Sequence, residues 1–318
     1  MQSTTKIKVI GVGGSGMNAI SRMAAVKIEG VDLIAINADV QDLKKAQADF
    51  KIQIGKKTTG GLGAGMNPKI GEAAAKENQK EIQETLKETD MVFITCGLGG
   101  GVGTGAAPVV AELAKKAGVL TVAVVTKPFS FEGIPRKKIA EKGLENLKSK
   151  VDTLLVIPND RIMKMTDAET SVFSAFWLCD DILRQAVQGI SDLITLPGII
   201  NVDFADLRSV MKNSGPALLG VGKADGEKRI EKALDSAINS PLLDGTSLKR
   251  GRAVLFNISG GKDLTLTEIN TAAQIIKNVV APEAKVIFGA VQDRGLAIGE
   301  AKIMVIITGF ERSRRSLQ

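Results

Sequence analysis

Apolar positions along the chain follow two rhythms. Through the first half, short runs that are apolar almost throughout, IKVIGVG, DLIAINA, DMVFITCG, LTVAVVTK and TLLVIPND, each lead into loop or amphipathic helical stretches. Such runs suit strands buried on both faces, and their alternation with helices predicts a parallel sheet covered on each side. From Val172 to Ile194 the rhythm lengthens. Val172, Phe176, Cys179, Leu183, Ala186, Val187, Ile190 and Ile194 keep i, i+3, i+4, i+7 spacing, which predicts one long buried helix stopping at Pro197-Gly198. Beyond it the pattern reads DFADLRSVMK (helix), PALLGVGKA (strand), GEKRIEKALDSAIN (helix), GRAVLFNIS (strand), TLTEINTAAQIIKNVV (helix), then the strands KVIFGAVQD and EAKIMVIITGF. Two final strands with no helix between them predict a mixed sheet. The expected organisation is a Rossmann-like α/β domain over 1–170, a connecting helix over 171–196, a smaller α/β domain over 197–310 and a basic tail over 311–318.

Glycines punctuate one edge of the first sheet. GVGGSG follows the first run, CGLGGGVGTG (residues 96–105) follows DMVFITCG, and TTGGLGAGMNP (58–68) falls between them. In parallel sheets ligands bind at the carboxyl ends of the strands, where these loops lie. Glycine loses more backbone freedom on folding than any other residue, so such loops are costly unless backbone must approach something closely. A phosphate held by backbone N–H groups and a helix N-terminus meets that need, and CGLGGGVGTG carries no side-chain cation. A turn packed tightly on the sheet is the plainer alternative. Gly11, Gly13 and Gly16 also satisfy GxGxxG, and Asp39 stands where a ribose-binding acid would, so a nicotinamide-dependent oxidoreductase is a competing reading. Three glycine loops suit a triphosphate wrapped on several sides better than one pyrophosphate. The absence of GxxxxGK[ST] excludes the P-loop class.

Composition narrows the chemistry. The 318 residues include no His and no Tyr, which excludes His-based triads and the usual zinc sites. Catalysis must then run on carboxylates, Lys, backbone dipoles and a hard cation. The formal charge of +7 is spread along the chain with a single Trp for stacking, so a solvated surface accounts for it better than nucleic acid or lipid binding. Absence of a signal region or an apolar span predicts a cytoplasmic protein without direct membrane insertion. Cys96 and Cys179 read as buried packing residues.

GGGVGTG resembles the tubulin/FtsZ phosphate signature GGGTG[TS]G, and GVGGSGMNAISRM, LGAGMNP, VTKPFSFEG, IPNDR, AVQGISDLI and NVDFADLRSVM resemble FtsZ sequences in the same order, across about residues 5 to 310. The resemblance implies a GTPase that polymerises head to tail into the filaments of the division ring at mid-cell, using GTP/GDP and Mg2+. It places the triphosphate on Gly13, Gly14, Gly65, Gly100, Gly101, Gly103, Thr104 and Gly105, the ribose region on Glu132 and Arg136, and the base on Asn18, Asn159, Phe176 and Asp180. It implies no side-chain metal ligands, with Mg2+ held mainly by phosphates and water. Asn201, Asp203 and Asp206 match the NxDxxD loop, whose acids act on a neighbouring subunit's nucleotide; read alone, Asp203 is a helix N-cap and Asp206 a first-turn acid.

Guanine presents donors at N1 and its exocyclic amine, which a carboxylate such as Asp180 accepts as a pair, whereas adenine offers no such pair. Read alone, Asp180 is equally a solvated helix charge. If the acids of one chain complete the site of another, the contact is heterologous and propagates into a filament.

The sequence departs from the family pattern at several places. Val102 stands where Thr is usual, removing a hydroxyl near the phosphates, so a GTP-binding filament with little or no hydrolysis is a further alternative. Ser15, Met17 and Lys69 are milder departures. Nothing after Phe310 resembles the usual tail peptide, so division-ring tethers and regulators are not expected to engage there.

Overall fold

The computed structural model describes residues 5–167, 169–196, 198–243, 248–293 and 295–310. They form two compact units, divided after Ser191. The predicted tail over 311–318 and Pro197 of the predicted helix stop lie outside the described residues.

In the first unit the elements run β1 (Ile7–Val12), α1 (Gly13–Ala25), β2 (Val31–Asn37), α2 (Val40–Lys45), β3 (Phe50–Gln53), α3 (Lys56–Thr59), α4 (Pro68–Glu77), α5 (Gln79–Thr85), β4 (Met91–Gly97), α6 (Gly101–Lys116), β5 (Leu120–Lys127), α7 (Ile134–Lys148), β6 (Thr153–Pro158) and α8 (Asn159–Ile162). The strands pair in parallel in the order β3-β2-β1-β4-β5-β6. Burial explains the apolar runs: β4 is buried from Met91 to Cys96 because helices cover both faces. Each fully buried Ile or Phe there contributes about 1.5–3 kcal/mol. Strand order reverses direction between β1 and β4, the switch point where a crevice opens beyond the strand ends.

Helix α9 (Val172–Thr195) matches the predicted span, with a correction to its burial. Cys179, Leu183, Ala186, Val187 and Ile190 are buried, but Val172 is 63% exposed and Phe176 39%, so the start of the helix overhangs solvent. Periodicity reports which positions share a face and not how far a covering element reaches.

The second unit continues with α10 (Phe204–Met211), β7 (Gly215–Asp225), α11 (Arg229–Ile238), β8 (Ala253–Gly260), α12 (Leu266–Val279), β9 (Lys285–Gln292) and β10 (Glu300–Thr308). The predicted mixed sheet forms: β10 pairs antiparallel with both β7 and β8, and β8 pairs parallel with β9. Arg229, 5% exposed at the start of α11, clasps the loop before α12. Its Nε and Nη2 donate to Glu268 at 2.7 and 3.0 Å, and its Nη1 donates to Asp263 Oδ2 at 2.6 Å. Glu268 also closes a capping box with Thr265 at the α12 N-terminus.

Candidate functional site

Three glycine loops meet at the crevice. Gly13 turns the chain from β1 into α1 at φ +72°, in the left-handed region that glycine enters without strain. A β-carbon there would lie 2.9 Å from the Gly103 nitrogen, so the first loop touches the start of α6. A β-carbon on Gly101 would overlap the carbonyl oxygen of Gly65, which brings in the loop at 58–68. Side chains at these points would force the loops apart.

Helix α6 begins at Gly100 with no side-chain cap and no acid in its first turn. Its leading N–H groups and the positive end of its dipole are thus available to an anion. Val102 lies in this turn, lines the cavity and is 8% exposed. Thr104 turns inward, its Oγ1 accepting the Gly99 N–H at 2.9 Å, which braces the loop from behind.

The cavity at this edge holds about 540 Å³ and is lined by Gly13, Gly14, Asn18, Gly65, Gly100, Gly101, Gly103, Glu132, Arg136, Asn159, Phe176 and Asp180. Thr104 and Gly105 do not line it; they border a second depression beside α4 and α7. Ser15, Asn37, Asp42, Thr126 and Cys179 also line the first cavity without having been singled out as its binding residues from sequence, and so does Asp39. Asp39, the candidate ribose acid of a nicotinamide site, instead caps α2, its Oδ1 accepting from the Gln41 and Asp42 N–H groups at 2.9 and 3.1 Å.

Opposite the glycines the wall changes character. Glu132 takes the Phe129 N–H at 2.9 Å and pairs with Arg136 one turn on. Phe129 stacks on Phe131 and meets Phe176 edge-on with ring centres 5.2 Å apart, presenting an aromatic edge beside the cavity. Asn159, at the carboxyl end of β6, is 5% exposed, and its Oδ1 has no hydrogen-bond partner among the described residues. A buried acceptor left unpaired costs about 1–3 kcal/mol, so this oxygen is suited to a donor on a ligand.

Asp180 is 6% exposed on α9. Burial pushes its carboxyl up to about 6, against the opposing pull of the Arg22 guanidinium 3.4 Å away. Burial likewise pushes the thiols of Cys96 and Cys179 up to about 12, so both stay protonated and inert.

The predicted catalytic residues belong to the second unit. Asp203 occupies the N-cap position of α10 but makes no side-chain capping bond, and Asp206 stands in the first turn. Both are exposed, and Asn201 Oδ1 accepts the Gly198 N–H at 2.7 Å. None of the three lines the cavity of the first unit. A capping acid without its capping bond is a carboxylate available for another purpose.

Among the described residues no group of three or more Cys, Asp or Glu could hold a metal ion, and no helix is long and apolar enough to cross a membrane.

Comparison with known proteins places this geometry. Residues 6–167 match the Tubulin/FtsZ family, GTPase domain, and residues 215–311 match the FtsZ family, C-terminal domain. An empty FtsZ dimer from M. jannaschii is 46% identical over 100% of this chain and 95% of its own, with a TM-score of 0.94. The W319Y mutant of M. jannaschii FtsZ is 48% identical over 97% of this chain and 92% of its own, at a TM-score of 0.93. CetZ2 from Haloferax volcanii, in a GTPγS-bound protofilament, shares the fold at 24% identity over 98% and 95% of the two chains, with a TM-score of 0.76.

Proposed function

Because the chain belongs to the tubulin/FtsZ family, on its FtsZ branch, we propose that it binds GTP in the glycine-lined cavity and hydrolyses it while polymerising head to tail into protofilaments. These would form the division ring at mid-cell, in the cytoplasm. The observation that carries the reading is the cavity's asymmetry. Backbone donors crowd one wall, and the other carries the buried acceptors Asn159 and Asp180, which suits an anionic phosphate tail and a base rich in donors.

On this reading Gly13, Gly14, Gly65, Gly100, Gly101 and Gly103 present N–H groups to the phosphates, while Thr104 and Gly105 support the loop from inside α6. Glu132 and Arg136 face the ribose. Asn18, Asn159 and Asp180 bond the base, and Phe176 packs on it. Magnesium bound with the phosphates would neutralise charge that no side-chain cation of the glycine loop balances. Asp203 and Asp206 of a neighbouring subunit, held by Asn201's loop, would orient a water for attack on the γ-phosphorus. The bond to the β,γ-bridging oxygen then breaks, leaving GDP and inorganic phosphate.

A static, GTP-bound filament is the second reading, favoured by Val102, whose apolar side chain occupies the first turn at the cavity. Phosphate release measured against protein concentration, beside Asp206→Ala, separates the two. Specific activity that climbs with concentration and is lost in the variant supports the shared site; activity per molecule that stays flat sinks it. GTP binding without any release selects the static filament.

A further inference from the structure

Arg22 has no role in the scheme above, yet separate observations converge on it. From α1, its Nε and Nη2 each lie 3.4 Å from a single oxygen of Asp180, Oδ2. Its Cζ lies 5.0 Å from the centre of the Trp177 ring, which stands on α9 shortly before Asp180. Asp180 lines the cavity, whereas Arg22 does not. The guanidinium therefore grips the carboxylate from outside the site, with the indole face restricting where it can sit. Among the described residues, every hydrogen bond to Asp180 goes to Oδ2, which leaves Oδ1 open to a ligand donor.

We propose that Arg22 is a specificity-determining positioning residue of the nucleotide site, holding Asp180 ionised and in a fixed plane so that guanine is preferred over adenine. The inference rests on the nucleotide reading above. It follows from what each protonation state can offer. An ionised carboxylate accepts from guanine N1–H and the exocyclic amine and is repelled by the adenine N1 lone pair. A protonated carboxyl has an O–H to donate, which adenine N1 welcomes and guanine N1–H does not. Base preference thus depends on Asp180 keeping its charge while buried.

The surroundings leave that charge to Arg22. Burial raises the carboxyl and neighbouring Asp181 raises it further, while Arg22 lowers it, and together they leave it at about 6. Glu132, before α7, adds a negative charge near Cys179, whose thiol stays neutral. Without Arg22, burial and Asp181 act unopposed and the carboxyl moves higher still.

The test uses the full chain with no variant at the phosphate loops. A fluorescent GTP analogue is displaced by GTP and by ATP at about pH 6 and about pH 8, for the unmodified protein, Arg22→Met and Arg22→Lys. Trp177 is the single tryptophan and there is no tyrosine, so intrinsic emission reports both folding and the ring beside residue 22. The GTP-over-ATP preference of Arg22→Met is expected to fall about 10-fold at the lower pH and much less at the higher, with Arg22→Lys restoring most of it. Equal loss of GTP and ATP affinity, or an altered preference with no pH dependence, would overturn the proposal. Should Arg22→Met fail to fold, Arg22→Gln replaces it: it removes the charge but keeps a polar side chain, so the same pH-dependent loss of preference supports the role and a profile identical to the unmodified protein's overturns it. Failure of the unmodified protein to bind GTP at either pH would remove the nucleotide reading itself, an outcome distinct from intact binding that ignores residue 22.

Discussion

Gly71 of α4 and Gly101 of α6 meet backbone to backbone: a β-carbon on Gly71 would overlap the Gly101 carbonyl oxygen. The glycine loop, where it enters α6, is thus held in shape by a helix that contributes no residue to the cavity beyond its preceding loop. Gly71→Ala must separate α4 from α6, an overpacking that costs about 1–3 kcal/mol. Gly14 is the contrast, since nothing lies within 4 Å of the β-carbon it would carry. Gly14→Ala is expected to melt like the unmodified protein while losing GTP affinity, and Gly71→Ala to lose both; melting curves and nucleotide titrations read the two effects separately.

Asp180→Asn is expected to stabilise the nucleotide-free protein at neutral pH while removing the guanine preference. The folded carboxyl titrates near 6, above its ordinary value, so its ionised form opposes folding above that pH and the penalty fades as pH falls through 6 toward 4. The gain at about pH 8 is on the order of 1–3 kcal/mol, and it shrinks on acidification. Denaturant melts across that pH range check it; a gain that grows on acidification would contradict the assignment.

Val102→Thr restores a hydroxyl at the cavity wall with nearly the same shape. A hydrogen bond to a charged phosphate or its metal-bound water, about 1.5–3 kcal/mol, corresponds to a rise of about 10–100-fold in hydrolysis rate. Thermal stability of the nucleotide-free protein is expected to fall by about 1–3 kcal/mol, because Val102 is nearly buried and the new hydroxyl must find a partner there. Single-turnover phosphate release is the measurement.

Arg229→Met tests the clasp of the second unit. Arg229 is 5% exposed, while its carboxylate partners keep partial access to water, so the loss is about 1–3 kcal/mol. Glu268 is held below its usual range chiefly by Arg229, and Asp263 chiefly by the Gly299 N–H with help from Arg229. Depressed carboxyls contribute stability above about pH 4 that is lost as pH falls through their folded values. The difference between variant and unmodified protein should therefore narrow in acid, read by proteolysis of sites within residues 198–310.

Fold was more legible than site in the sequence, for reasons visible residue by residue. Continuous apolar runs marked β1, β2, β4, β5 and β6 because both faces are covered, but β3 escaped notice: of Phe50, Lys51, Ile52 and Gln53 only Ile52 is buried. An edge strand this short carries too little pattern to register. Glycine spacing marked the three loops, since backbone approach leaves its trace in residue type. The pairing of Arg22 with Asp180 spans 158 positions, and no local pattern encodes it. Thr104 read as a phosphate contact because it lies in the signature, whereas its hydroxyl closes the loop on Gly99.

A wall built from main-chain N–H groups has an evolutionary consequence. Proline apart, substituting a side chain cannot delete a peptide donor, so phosphate affinity on the proposed reading is insulated from most drift and vulnerable mainly where a β-carbon has no room. On the same reading, base choice sits on a few replaceable side chains across the cavity. The two halves of recognition can therefore diverge at different speeds, and a descendant of this chain could exchange its preferred base while inheriting its grip on phosphate unchanged.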